Sequence, residues 1–303
     1  MNTRIDMKTR ADVKTIDAER LARAEDFMRR NARLIDRHRF AFHFRGGPAT
    51  AITTALRPYE NPDGGYGHGI EPDLRGEASQ PVPAQHALEF LHEAGAGGDP
   101  AVGRICDYLT SITRPDGGVP FVLPTVRAAP SAPWWQTPDD PPGHIVPTGT
   151  LAGQLHRIGA DHPWLGPATD FCWAWVEQAT EVPPYEIYAI LAFLDHVPDR
   201  ERAEAAFERV REPMLATIDF DPGAEGDAHL PLDYASAPDG FGRRLFDDDL
   251  IEAHLDALVE AQRDDGGWTV GFLIWTPKTE PEWRGFVTVE RLRTLLAYGR
   301  LSA

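Results

Sequence analysis

Only two cysteines occur in 303 residues, Cys106 and Cys172. Neither stands in a CxxC pair, which excludes a zinc finger or dithiol redox motif and fits a reducing compartment with both thiols buried. No apolar stretch is long enough to cross a bilayer. The first residues, to about Lys14, are polar and mixed in charge and lack the apolar segment of a secretory signal. The expectation is a soluble, cytoplasmic protein. Positive charge is scarce, with 30 Lys and Arg against 47 Asp and Glu and a net charge of −17 at pH 7. So acidic a chain is repelled by phosphate backbones and anionic lipid surfaces, which argues against nucleic-acid and membrane partners. Alternating β-branched runs are also scarce. The best strand-like pieces, 119–123 and 270–274, are short.

Helical periodicity fills the gap. The composition, 42% hydrophobic and 25% charged, permits a substantial core. Leu21, Ala24, Phe27, Met28, Ala32, Leu34 and Ile35 predict one amphipathic helix over 18–38. Further helical patterns cover 84–92, 102–112, 148–158, 168–178, 185–194, 200–216, 248–261 and 286–298. Most of the 27 prolines lie between them. Long loops span 64–83, 120–147 and 267–284, and loops of that length inside a compact domain are often functional.

An Asp-Gly-Gly turn introduces each long loop: Asp63-Gly64-Gly65, Asp116-Gly117-Gly118 and Asp265-Gly266-Gly267. The second lies 53 residues after the first, and the third 149 after the second, close to three units of about 50. Glycine supplies positive φ after a helix and Asp bonds back to nearby backbone. The recurring order of helix, turn, long loop and helix predicts an array of helical hairpins. No break in composition divides the chain, so a flexible tail over 1–16 and one domain over 17–303 are expected.

The segment 255–268 ends in Gln262, Gly266 and Trp268. It resembles the QW repeat of the terpenoid cyclase and prenyltransferase superfamily, including the squalene-hopene cyclase type. The segment 61–67 is similar to a variant with Tyr66 in place of Trp, and 114–119 keeps only the turn. The chain also looks like the uncharacterised bacterial proteins of single-toroid type, and the resemblance implies an all-α fold. That fold is an (α/α)6 toroid of helical hairpins around a central cavity. It gives Gln262 and Trp268 structural roles, the Gln bonding backbone at a neighbouring helix end and the Trp packing across hairpins. The chain also departs from the family. The Asp-x-Asp-Asp acid of the cyclases is missing, and Asp247-Asp248-Asp249 reads as a helix cap. Asp170-Phe171-Cys172 has the spacing of the prenyltransferase zinc pair but sits in an aromatic helical run, so a buried structural cysteine is expected.

In a toroid, loops feeding the inner helices converge on the cavity mouth. The first holds Tyr66, His68, Glu71, Asp73 and Arg75 and leads to a helix bearing His86. Its two carboxylates and histidine either share acid–base work or anchor the loop through their own hydrogen bonds. Their spacing matches no standard metal pattern, so neither metal nor cofactor is expected. The second loop carries Trp134 and Trp135, an aromatic wall or loop packing, and His144, an acid, a base or a structural residue. The third carries Trp275, Trp283 and Arg284, where Arg284 grips an anionic group or pairs with Glu282. Asp233 and Tyr234 add a carboxylate and a phenol. The expected function is cofactor-independent acid–base chemistry, a cyclisation or isomerisation of a small apolar or polycyclic molecule in secondary metabolism. Glu71 and Asp73 are the acid and base, His144 assists, and Tyr66, His68, His86, Trp134, Trp135, Asp233, Tyr234, Trp275, Trp283 and Arg284 bind substrate. A carbohydrate-active toroid hydrolase or lyase and a non-catalytic binding or scaffold toroid are the alternatives. The sequence leaves the oligomeric state open.

Overall fold

In the computed structural model, residues 13–224 and 226–302 are described. Six outer helices alternate along the chain with six inner ones. The outer set is α1 (Ala18–Asn31), α3 (Ala49–Leu56), α5 (Pro100–Ile112), α7 (Leu165–Gln178), α9 (Arg200–Leu215) and α11 (Asp248–Glu260). The inner set is α2 (Leu34–Arg45), α4 (Pro81–Glu93), α6 (Ile145–Arg157), α8 (Pro184–His196), α10 (Pro231–Tyr234) and α12 (Thr279–Ala297). α4 packs on α6, α6 on α8 and α8 on α10, and α12 returns to α2. Ion pairs span the two remaining joints: Arg39 to Glu93 between α2 and α4, and Arg291 to Asp233 between α12 and α10. The result is an all-α (α/α)6 toroid, as the hairpin period implies.

Local sequence marks the helix starts in both rings. Aspartates cap four outer helices: Asp17, Asp99, Asp199 and Asp247 accept from the backbone N–H of Arg20, Ala101, Arg202 and Leu250. Three inner helices start on proline, at Pro81, Pro184 and Pro231, where the missing N–H costs nothing.

The three Asp-Gly-Gly turns share one mechanism. Asp63, Asp116 and Asp265 accept from the N–H of Gly65, Gly118 and Gly267 at 2.9, 3.0 and 3.1 Å. Gly64, Gly117 and Gly266 have φ of +83°, +91° and +95°, and each lies against a carbonyl of the next outer helix: Arg104, Pro167 and Arg23. A Cβ there would stand 2.4, 2.4 and 2.1 Å from that oxygen. One turn further along those helices, Tyr108, Phe171 and Phe27 lie against the second glycine. Each turn therefore docks its hairpin on the next, and the third docks α11 on α1 and closes the ring. Gln262 donates to the carbonyls of Arg20 and Gly266, both at 2.9 Å, and the buried Trp268 indole donates to Leu258 O.

One sequence expectation needs correction. The helix over 18–38 is two helices. Ala32 and Arg33 are extended, because Ala32 fits against Gly285 of α12 and Arg33 reaches across to Ile70 O at 2.6 Å. No glycine or proline marks that break. The pieces 119–123 and 270–274 form no strand; of the two, only the first is touched by an isolated bridge, Pro120 to Gly143. The tail expected over 1–16 falls largely outside the described residues, but Ile16 is fully buried and donates to Arg300 O at 2.8 Å. The described chain thus enters the fold ahead of residue 17.

Candidate active site

The first long loop delivers Glu71 and Asp73 to the N-terminal ends of the inner helices. Gly69 turns at φ +77° and His68 at φ +57°, positions that favour glycine and are tolerated by few other residues. The second loop then clamps the first. Ala132 N donates to Asp73 O at 3.0 Å and Arg75 N to Pro130 O at 3.2 Å. Arg75 also reaches Glu282 on α12 at 2.5 Å. So anchored, both carboxyl groups are nearly withdrawn from solvent, Glu71 at 3% and Asp73 at 2% exposed.

Glu71 is fully engaged. One oxygen accepts from Asp73 N at 3.1 Å, and the other meets His86 Nε2 at 3.0 Å. Asp73 is not. Its Oδ1 is buried without a hydrogen-bond partner. Burial, then the adjacent Glu71 charge, pushes its pKa from the ordinary 3.8 to about 6. The Trp283 indole and Thr279 hydroxyl of α12 approach it and offset part of that rise, yet Trp283 Nε1 is itself buried and unpartnered, so the contact is not a formed hydrogen bond. Aromatic rings enclose the pair. His86 meets Phe286 edge-on at 5.6 Å, Trp283 meets Phe286 at 5.9 Å, and Phe272 meets Trp283 at 4.9 Å.

A second group comes from α8 and α10. Tyr185 is 54% exposed. Its phenol pKa is raised by partial burial and then by Asp227, Glu71, Asp233 and Asp73, which places it in the field of the acid pair. Tyr188 and Tyr234 pack 4.7 Å apart, with His229 beside them. Asp233 is tied to Arg291 at 2.6 Å and to Leu230 N at 2.8 Å, while Tyr234 donates to Pro184 O at 3.3 Å.

The other candidate residues are dispersed. His144 caps α6, its Nδ1 accepting from Val146 N at 3.1 Å, between the rings of Phe121 and Trp175. Burial lowers its pKa, and none of its hydrogen bonds or ring contacts reaches Glu71 or Asp73. Trp134 and Trp135 diverge: Trp134 is exposed, and Trp135 stacks on Phe121 at 5.0 Å in a buried cluster with Leu74 and Val82, against which Trp275 packs. Tyr66 lines an outer-wall pocket of about 410 Å³ together with Leu56, Arg57 and Arg104. His68 is exposed and meets Asn61 Oδ1 at 2.9 Å. Arg284 holds Asp265 with two bonds at 2.8 and 2.9 Å and lies over the Phe27 ring, bracing the third Asp-Gly-Gly turn. Asp247 caps α11, and Cys172 is fully buried with its thiol pKa pushed up by burial. Among the described residues, no three His, Cys, Asp or Glu side chains gather to hold a metal ion.

Sequence reading passed over Tyr185, Tyr188, Gln85, Thr279 and Phe286. It also passed over a buried ion network at the joint of α2, α4 and α12. There the fully buried Arg39 bonds Glu93 at 2.6 and 2.8 Å and Asp36 at 3.3 Å, and contacts Glu290. Burial raises the Glu93 pKa, but the Arg39 charge and hydrogen bonds, with His43 and Arg293, together outweigh it, and the net direction is down. Polar residues on an amphipathic helix read as its solvent face, and here that face looks into the ring.

No protein-family profile matches the chain, and no curated protein matches its sequence. Solved structures do match in shape. A protein from Actinoplanes superposes with a TM-score of 0.61 at 17% identity, over 93% of this chain and 99% of that one. The type II terpene cyclase MstE from Scytonema superposes with a TM-score of 0.53 in complex with its product merosterolic acid A, at 14% identity over 92% of this chain and 86% of that one. Its apo form gives 0.52 at 14% identity, over 93% and 88%. At such identities the likeness establishes a shared fold, and the chain takes the same helical toroid architecture as these proteins.

Proposed function

We propose that the protein is a toroid enzyme that uses Asp73 as a general acid, without a redox cofactor, on a small ring-bearing or polycyclic molecule. The observation that carries this reading is a buried carboxyl with a free oxygen and a pKa near 6, beside an engaged Glu71–His86 pair. A carboxyl with a pKa close to the working pH is protonated in part of the molecules and gives that proton to a substrate readily. The proton leaves Asp73 for a substrate carbon or oxygen. A second proton is lost from the rearranged substrate to His86, which passes it to solvent when the product leaves, and Asp73 takes a proton back from solvent before the next turnover. The net result is cyclisation or isomerisation with no change in oxidation state. Trp283 and Phe286 supply ring faces that favour positive charge developing on the substrate. The shared fold with a type II terpene cyclase supports this reaction class.

The test is incubation with a panel of linear and cyclic isoprenoids, followed by mass-spectrometric analysis of the products. Asp73→Asn and Glu71→Gln are each expected to lower turnover at least about a hundredfold while leaving the helical circular-dichroism spectrum intact. Turnover retained in Asp73→Asn removes it as the acid.

A further inference from the structure

Nine buried side-chain polar atoms lack a hydrogen-bond partner among the described residues; three of them, Asp73 Oδ1, His86 Nδ1 and Trp283 Nε1, belong to this one site, and a fourth, Gln85 Oε1, comes from the residue before His86 on α4. Native proteins pair nearly all such atoms, so a local concentration calls for an explanation. The four come from three separate elements, the first loop, α4 and α12, so a single strained turn does not account for them. Their positions converge. His86 is held towards Phe286 and Glu71, and Trp283 stands beside Phe286 and against Asp73. Gln85 lies one turn from Glu89 on the same face of α4, and Glu89 comes within 4.0 Å of Arg293 on α12. Gln85 therefore faces the ring interior.

The chemistry of the four atoms is complementary to oxygen. Trp283 Nε1 offers only a donor and Gln85 Oε1 only an acceptor. His86 Nδ1 takes whichever role its bond to Glu71 leaves, and Asp73 does the same with its proton. A hydroxyl group serves both kinds of partner at once, and a carbonyl serves the donors. A hydrocarbon serves none and leaves each buried atom unpaired, the situation in which sites discriminate most sharply between analogues. We propose that this site takes a ring compound bearing hydroxyl or carbonyl oxygens, with a ring face against Trp283 and Phe286 and oxygens directed to Gln85, His86 and Trp283. The inference rests on the same site as the acid–base reading but concerns binding alone.

The experiment uses the Asp73→Asn protein, so that binding is read without turnover, and follows the Trp283 indole N–H resonance. Three probes are titrated: limonene as the hydrocarbon, α-terpineol as its hydroxylated counterpart, and glucose. α-Terpineol or glucose is expected to shift the resonance saturably, at least about tenfold more tightly than limonene. Which of the two binds distinguishes an oxygenated terpenoid from a sugar. Gln85→Leu, which keeps the side-chain volume, is expected to weaken the oxygenated probe about tenfold and leave limonene unchanged. Limonene binding as tightly as the oxygenated probes, an unchanged affinity in Gln85→Leu, or no binding of any probe overturns the proposal. Oxygenated-probe binding without turnover in the wild-type protein leaves it standing and removes the catalytic reading instead.

Discussion

Replacing Asp73 by Asn should stabilise the protein at neutral pH and not at acid pH. The folded state raises the Asp73 pKa from 3.8 to about 6. Between those values the folded protein holds a proton that the unfolded chain has released, so wild-type stability falls as pH rises through this window. The full effect is about 3 kcal/mol, from about 1.4 kcal/mol for each pH unit by which the two values differ. Below about pH 4 the proton is bound in both states and the contribution is intact. Above about pH 7 it is lost, and the wild-type protein carries a buried, poorly partnered carboxylate. Asn has the same shape without the charge, so its advantage should grow from near zero at pH 4 to as much as about 3 kcal/mol at pH 7.5. Urea unfolding of both proteins at half-unit steps between pH 4 and 8 measures the difference directly. Other titrating groups are common to both chains and largely cancel. A difference that does not change with pH, or one that changes in the opposite direction, refutes the assignment of a raised pKa to Asp73. It also removes the physical basis for Asp73 as an acid at neutral pH.

The docking turns and the buried ion network give two further expectations. Gly266→Ala places a Cβ 2.1 Å from Arg23 O at a φ of +95°, and should cost about 2–4 kcal/mol in urea unfolding. Gly95→Ala, with a φ of +64° and open space around it, should cost only about 1–2 kcal/mol; equal losses would mean that the close approach to α1 does not matter. Arg39→Met takes from the buried Glu93 its two-bond partner, leaving only His43 and Arg293 beside it, and should cost about 3–5 kcal/mol, while adding Glu93→Leu should recover part of that loss. A double variant no more stable than the single one argues against the charge as the source of the cost.

How much was legible in the sequence varied with the range of the interaction. Asp-Gly-Gly is a local device, since the Asp bonds two residues on and the glycine takes positive φ, so three copies expose the hairpin period in the sequence alone. The 149-residue interval resolved into three units because the hairpins opening with α7 and α9 run on without the turn. Glu71, Asp73 and His86 were visible as a dense group of titratable residues in one loop and the helix after it, and the fold brings them together. Trp134 and Trp135 read as a pair, and the backbone turned one outward and the other into the cluster around Leu74. His144 read as an acid, a base or a structural residue, and it caps α6.

The sequence by itself determined the helical class, the hairpin period, the glycine turns and the loop that carries the acid pair. Each of these depends on backbone preferences and spacings within a few residues. Tertiary structure decided that α1 and α2 separate at Ala32 and Arg33, that Arg39 is buried among carboxylates, and that Trp283 and Thr279 of α12 approach Asp73 while Tyr185 of α8 lies in its field. Those outcomes depend on which polar stripe faces the ring interior. A stripe facing solvent and one facing a cavity share the same 3.6-residue period, so only closure of the ring tells them apart.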